Sequence, residues 1–320
     1  MLMESVKSET ETYNDLKFQA YRAIKSLTGV SCLKGSDILF KTITLVNLAK
    51  KGTNALVSRK ITGEPTPWIF RDALVKVNFR GFTYSFQCPR GYDFNVYLNP
   101  YYHECDVVSF AFSVLQKGDV FIDVGAHGGL YTLLGGKIVG SRGKVIAIEP
   151  NPDNLKFLRQ NVKLNKLTNV VIIPKAASDE KSKIRLYYEP KKTALTSAVT
   201  RASKIIETEA ITLDEIAEMY DFIKLLKVDT EGYDLKVLKG AYHTLRKTSC
   251  IVVEQSNNHV RKLLAGLGFR LYFLTSSRYL VAINKKIRHV SILQKIFESL
   301  PYHKLRESGL VGACMMFSRR

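Results

Sequence analysis

From about residue 107 to residue 285 the chain alternates short apolar runs with amphipathic segments, and that rhythm constrains the fold more than any other feature. Residues 119–124, 144–149, 170–173, 223–228 and 250–254 read as strands. Residues 130–138, 151–164, 212–220, 234–245 and 258–267 repeat apolar side chains at helical spacing. Strands and helices alternating at this interval form βαβ units, with a mostly parallel sheet covered on both faces. Residues 183–188 read as a further strand, and residues 269–273 and 279–283 as an antiparallel edge hairpin.

The flanks have a different texture. Residues 1–62 place Leu16, Ala20, Ala23, Ile24 and Leu27 at helical spacing, with a second such pattern over 38–57, which implies a helical N-terminal extension. Gly63-Glu-Pro65-Thr-Pro67 then punctuates the chain. Residues 63–106 read as a small lead-in: strands 74–79 and 82–88 about Arg80-Gly81, then a helix over 103–115 that runs into the domain of residues 107–285. Residues 286–320 form a basic C-terminal helix and tail, with Val290, Leu293, Ile296, Phe297 and Leu300 on one stripe. The chain has 320 residues, 46% of them hydrophobic and 24% charged, which excludes wholesale disorder, collagen and coiled coil. It is long enough for one large core with extensions.

The formal charge is +19. Residues 1–63 hold ten basic and five acidic side chains, and residues 285–320 hold eight and two. A basic surface suits nucleic acid, anionic membrane or acidic substrates, and equally the solvated surface of any basic protein. The five cysteines are scattered and form no CxxC pair, which argues against a disulfide framework and a structural zinc site. A reduced, cytoplasmic setting fits best. The first residues lack the apolar core of a secretory signal. The early apolar run 38–48 is interrupted by Lys41 and falls short of the roughly 20 residues a spanning helix needs. The expectation is a cytoplasmic protein, membrane-peripheral at most through its basic termini.

The first strand of the alternating region runs into Asp123-Val-Gly125-Ala-His127-Gly128-Gly129. Glycines there let the backbone approach a ligand and turn into the next helix. A lone glycine loop is weak evidence, but two carboxylates sharpen it. Asp123 at the strand tip would repel a pyrophosphate and suits an amine and a sulfonium. Glu149, at the tip of the next strand in Glu149-Pro-Asn151-Pro, suits two ribose hydroxyls. Together they describe S-adenosylmethionine, unless both are merely solvated strand ends. On this reading Asp123, Gly125, His127, Gly129, Glu149 and Asn151 bind the cofactor.

Three segments resemble the class I S-adenosylmethionine-dependent methyltransferases, and more closely the FkbM family. They are Phe121-Ile-Asp-Val-Gly-Ala-His-Gly-Gly-Leu-Tyr131-Thr, Val145-Ile-Ala-Ile-Glu-Pro-Asn-Pro152 with Asn161 downstream, and Leu226-Lys-Val-Asp229-Thr-Glu231-Gly232-Tyr-Asp-Leu-Lys-Val-Leu-Lys-Gly240-Ala. The similarity spans about residues 90–285. The family typically carries Asn where this chain has His127. The resemblance implies a Rossmann-like, doubly wound seven-stranded sheet and O-methylation of a hydroxyl on a sugar, glycan or similar small metabolite. It also places Ala177 and Asp179, in Ala176-Ala-Ser-Asp179, beside the adenine.

Methyl transfer to a hydroxyl needs alignment and a base for the departing proton. The strand ending at Val228 delivers Asp229, the first choice for base or positioner, and Glu231, which would orient substrate, hold a metal or cap the following helix. Glu254, at the tip of the next strand, is a third carboxylate on that rim. Ser197, within Lys191–Arg201, belongs to an acceptor loop or to an exposed connector. Glu254 and Ser197 are the substrate-side candidates. Carboxylates grouped this way could take Mg²⁺, yet no histidine cluster accompanies them, so no metal ligand is assigned and Mg²⁺ is not expected.

Other readings compete. Asn99-Pro-Tyr-Tyr102 resembles the base-binding motif of amino-methyltransferases acting on DNA, but it precedes the cofactor loop instead of ending a core strand. A nucleic-acid acceptor is therefore disfavoured. Asp123 speaks against an NAD-dependent oxidoreductase. The carboxylates at 123, 149, 229 and 231 speak against a binding protein that has lost activity. His243 reads as a surface residue of a helix, and His259 as a marginal acceptor-site residue.

Overall fold

The computed structural model describes residues 33–34, 73–79, 82–88, 105–188, 197–199, 202–254, 257–274, 279–286 and 317–319. Apart from residues 33–34, the expected helical extension 1–62 lies outside them, as do the expected helix at 287–300, the motif at 99–102 and most of the 191–201 stretch. The chain divides into two compact units, residues 1–103 and 104–320.

In the first unit, β1 (Leu33–Lys34), β2 (Ala73–Phe79) and β3 (Phe82–Cys88) form an antiparallel sheet in that order. The hairpin pairs Ala73 with Cys88 and Phe79 with Phe82, as the alternating pattern implies. β1 interrupts the expected helical extension. It falls between the two helical patterns, where Gly35 follows directly, and backbone pairing with β2 decides its conformation.

The second unit holds α1 (Cys105–Val114), β4 (Val120–Val124), α2 (Leu130–Val139), β5 (Lys144–Ile148), α3 (Pro152–Leu164) and β6 (Val170–Ile173). Then come β7 (Ala176–Ala177), β8 (Ser182–Tyr188), β9 (Lys204–Ile211), α4 (Leu213–Ile216), β10 (Ile223–Val228), α5 (Asp234–Lys239) and α6 (Tyr242–Arg246). It closes with β11 (Thr248–Val253), α7 (Asn258–Gly266), β12 (Phe269–Leu274), β13 (Leu280–Asn284) and β14 (Phe317–Arg319).

The main sheet runs β14-β12-β13-β11-β10-β4-β5-β6. β6, β5, β4, β10 and β11 are mutually parallel, and β13 is antiparallel to both β11 and β12. The doubly wound α/β sheet is therefore present, with the closing hairpin antiparallel. Two details differ from expectation. β13 is inserted between β11 and β12, and the three-residue β14 adds an eighth strand beyond β12. The inner strands β10, β11 and β13 are buried along their whole length, as strands covered on both faces must be. Their aliphatic side chains join Ile122, Val124, Ile146 and Ile148 in the core.

A second sheet, β7-β9-β8, sits outside this order. The strand expected at 183–188 belongs to it. β9 has no counterpart in the sequence reading, because its Lys-Ile-Ile-Glu-Thr-Glu pattern leaves Ile205 exposed and few side chains buried. The single helix expected over 234–245 breaks into α5 and α6 at Gly240. A Cβ there would lie 2.0 Å from the Ser178 carbonyl oxygen, so only glycine permits that approach.

The chain leaves β4 towards β5 and β6, then returns to β10 on the opposite side of β4. That reversal opens a crevice at the carboxyl ends of β4 and β10, where open α/β sheets bind ligands.

Candidate active site

The loop after β4 lies against the loop after β10. The Asp229 amide donates to the Val124 carbonyl at 3.2 Å. Gly125 has φ +75°, and a Cβ on it would fall 1.9 Å from the Asp229 carbonyl oxygen. Glycine is thus required twice at this position, by conformation and by space. Gly129, at φ +99°, is the N-cap of α2, and a Cβ there would meet Leu158 at 2.8 Å. His127 also has positive φ, 51°. That region favours Asn and His among side-chain-bearing residues, which accounts for His where the family carries Asn. Burial pushes its imidazole down to about 4, so it is neutral at pH 7. From behind, the Asn161 side-chain amide donates to the Gly128 carbonyl at 2.9 Å.

Asp123 is fully buried. Its Oδ2 accepts from the Thr132 hydroxyl at 2.7 Å. Its Oδ1 receives no hydrogen bond among the described residues and lies 3.8 Å from the Lys227 ammonium. Burial raises its carboxyl above the usual range, against the opposing pull of Lys227 and Thr132.

Glu149 follows β5 and is buried as well. Its Oε2 accepts from the His127 amide at 2.8 Å. Its Oε1 accepts from the Asn151 amide at 2.9 Å and the Asn154 side chain at 3.2 Å. Burial nevertheless raises the carboxyl to about 7. A carboxylate offers about four acceptor positions, so three protein donors leave room for about one ligand hydroxyl, where the sequence suggested two. Asn151 caps α3, its side chain accepting from the Asp153 amide at 2.9 Å. Its documented work is thus to shape the loop and to bind Glu149.

At the end of β10, Lys227 is only 3% exposed, and its ammonium lies 3.0 Å from Asp229 Oδ2. It also sits 4.8 Å from the centre of the Tyr131 ring. The Tyr279 hydroxyl donates to the same Asp229 oxygen at 2.8 Å. Asp229 is partly exposed, its side chain retaining 20% of its accessible surface. Glu231, at φ 49°, and Gly232, at φ 103°, form a left-handed turn. Asp234 receives the Thr230 amide and hydroxyl and closes that turn from below. Ser197 is buried; its hydroxyl donates to the Glu231 carbonyl at 2.8 Å and accepts from the Val199 amide at 3.0 Å. Ser197 therefore clamps the Glu231 backbone. The Glu254 amide donates to the Val228 carbonyl at 3.1 Å. Carboxylate oxygens of Asp229, Glu231 and Glu254 all lie within 4.8 Å of one another. That trio has the donor chemistry for a hard divalent cation, but the Lys227 ammonium already stands against one member.

Asp123, Gly125, His127, Gly129, Glu149, Asn151, Asp229, Glu231, Ser197 and Glu254 are thus linked by described contacts. Ala177 and Asp179 flank Ser178, whose hydroxyl lies 3.3 Å from the Tyr233 hydroxyl beyond the Glu231 turn. Ala177 is buried in β7, and Asp179 Oδ1 accepts from the Ser178 hydroxyl at 3.0 Å and lies 3.6 Å from the Lys236 ammonium. His243 and His259 contribute backbone amides to helix caps.

Residues 123–271 match the methyltransferase FkbM domain. The chain is 31% identical over 156 residues to the hexuronic acid methyltransferase AglP of Haloferax volcanii, a match covering 47% of this chain and 62% of that protein. The chain spans less than two thirds of the length of the curated relatives it matches. Among solved structures, it is similar to methyltransferase FkbM from Methylobacillus flagellatus, with 17% identity, a TM-score of 0.38 and coverage of 54% of this chain and 47% of that one. A SAM-dependent O-methyltransferase from Thermotoga maritima gives 18% identity and a TM-score of 0.37, covering 58% of this chain and 67% of that one.

Four residues of this site escaped the sequence reading: Thr132, Asn154, Lys227 and Tyr279. Lys227 had a signal, a charge inside an otherwise aliphatic strand segment, Leu225-Leu-Lys-Val228. Tyr279 had none, because it meets Asp229 across 50 positions of sequence.

Proposed function

We propose that this protein is an S-adenosylmethionine-dependent O-methyltransferase acting on a hydroxyl of a sugar or glycan, with a hexuronic acid as the first acceptor to test. The observation that carries the reading is Asp123 Oδ1, a buried carboxylate oxygen that receives no hydrogen bond among the described residues, at the mouth of a glycine loop. A ligand ammonium satisfies such an oxygen, and a phosphate does not. Glu149, with acceptor capacity for one more hydroxyl, suits a ribose. The similarity to AglP supports a uronic acid as acceptor.

S-Adenosylmethionine, held by Asp123, Glu149 and the glycine loop, would supply a methyl carbon activated by its sulfonium. Asp123 holds the amine end. Gly125 and Gly129 give the backbone its close approach. Asp229 takes the hydroxyl proton at Oδ1, since Oδ2 already faces Lys227 and Tyr279. Glu231 and Glu254 orient the acceptor through its other hydroxyls, and Ser197 fixes the Glu231 backbone. Asp179 meets the adenine side. No step requires Mg²⁺. The basic terminal segments, most of which lie outside the described residues, provide contact with anionic membrane.

Calorimetric titration with S-adenosylhomocysteine, and with NAD in parallel, tests this on the wild type and Glu149→Ala. Micromolar binding of the homocysteine compound, lost in the variant, is the expected result. Binding of NAD alone refutes the cofactor. An acceptor screen follows, and product with RNA or DNA but none with uronic-acid glycans refutes the acceptor class.

A further inference from the structure

β10 is buried at every position, and Lys227 is among its most enclosed polar groups, at 3% exposure. A buried ammonium is costly unless paired, and an aliphatic side chain of similar volume would generally serve stability better. The pairing here is informative. The ammonium contacts two carboxylates carried on different strands: Asp229 Oδ2 at 3.0 Å and Asp123 Oδ1 at 3.8 Å. It also faces the Tyr131 ring. Lys227 and Asp123 sit opposite each other in the β10–β4 register. The cluster of two acids and one base thus carries one net negative charge, with Glu231 and Glu254 beside Asp229 and Glu149 beyond the glycine loop.

We propose that Lys227 is a specificity-determining residue that offsets one of these two carboxylates and so limits how strongly the site favours the charged methyl donor over its neutral product. The inference rests on the reading of this site as a methyl-transfer site. S-Adenosylmethionine carries one more positive charge than S-adenosylhomocysteine. Two uncompensated carboxylates would grip the sulfonium in the ground state, and that grip weakens as charge disperses in the transition state. Lys227 relieves it while keeping both acids buried and oriented. At an effective dielectric of about 20, a unit charge within the same pocket alters the relative affinity for a cation by about tenfold or more.

The test is titration calorimetry of the whole chain at neutral pH with each of the two compounds. It reads the ratio of the product dissociation constant to the donor dissociation constant. Lys227→Met is expected to raise that ratio about tenfold or more, and Asp229→Asn to lower it by a similar factor. Lys227→Arg should hold it near wild type, and the double variant Lys227→Met/Asp229→Asn should return towards wild type. A merely structural lysine would weaken both compounds equally, so an unmoved ratio across the set overturns the proposal. Should Lys227→Met not fold, Lys227→Gln carries the test, because it removes the charge while keeping a polar group beside Asp229, and an unmoved ratio there overturns the proposal. A wild-type protein that binds neither compound overturns the methyl-transfer reading itself, and that control tells the two failures apart.

Discussion

Glu149 shows what a single buried group can reveal. Its carboxyl is raised from 4.5 to about 7, so the folded protein holds a proton that the unfolded chain releases at lower pH. Stability from this group is fully present below the ordinary value and is lost as pH rises through 7. The gap corresponds to roughly 3 kcal/mol. His127, whose imidazole is lowered to about 4, pulls the opposite way between about pH 4 and 6.5, so the Glu149 effect is read against a variant that cannot titrate there. Thermal unfolding should show the wild type losing stability relative to Glu149→Gln between about pH 5 and 8, and Glu149→Gln should bind S-adenosylhomocysteine far more weakly. A wild type that gains stability relative to Glu149→Gln over this interval would refute the assignment. Gly125 makes a sharper case. Any Cβ there collides with the Asp229 carbonyl, so Gly125→Ala should weaken cofactor binding at least about a hundredfold, as read by titration. The sequence disclosed the need for glycine in this loop. It did not disclose that the obstacle is the other half of the site.

At the scale of elements, the loops are held by neighbours they do not touch in sequence. α3 secures the glycine loop through Asn161, and Ser197, bridged to Tyr187 of β8, secures the turn at Glu231. Ser197→Ala would remove the hydroxyl's hydrogen bond to the part-buried Glu231 carbonyl, a loss of about 1 kcal/mol. Denaturant unfolding should register that loss, while affinity for S-adenosylhomocysteine stays within about threefold because the glycine loop is untouched. A large loss of cofactor affinity with no loss of stability would contradict this division of labour. The sequence revealed α2, α3 and the parallel strands because their periodicity is local. β9 escaped because its exposed face carries mixed side chains, and the break at Gly240 escaped because its cause lies at Ser178.

For the molecule as a whole, the order β6-β5-β4-β10-β11 puts Asp123 and Asp229 on adjacent strands with Lys227 between their side chains. Lys227 thus sets a fixed positive charge beside both carboxylates. Once an acceptor is found, methyl transfer in EDTA should proceed within about twofold of the untreated rate; collapse of activity, restored by Mg²⁺, would show that Asp229, Glu231 and Glu254 hold an ion. Sequence alone determined the fold class, the glycine loop and the carboxylates that end its strands, because period, turn chemistry and strand tips are written in neighbouring residues. Only the tertiary structure decided that Lys227 and Tyr279 share one oxygen of Asp229, that Glu149 is largely occupied by its own chain, and that Ser197 serves the backbone of Glu231. Those facts depend on distances between residues far apart in the chain, and pairing across a sheet, not local propensity, sets such distances.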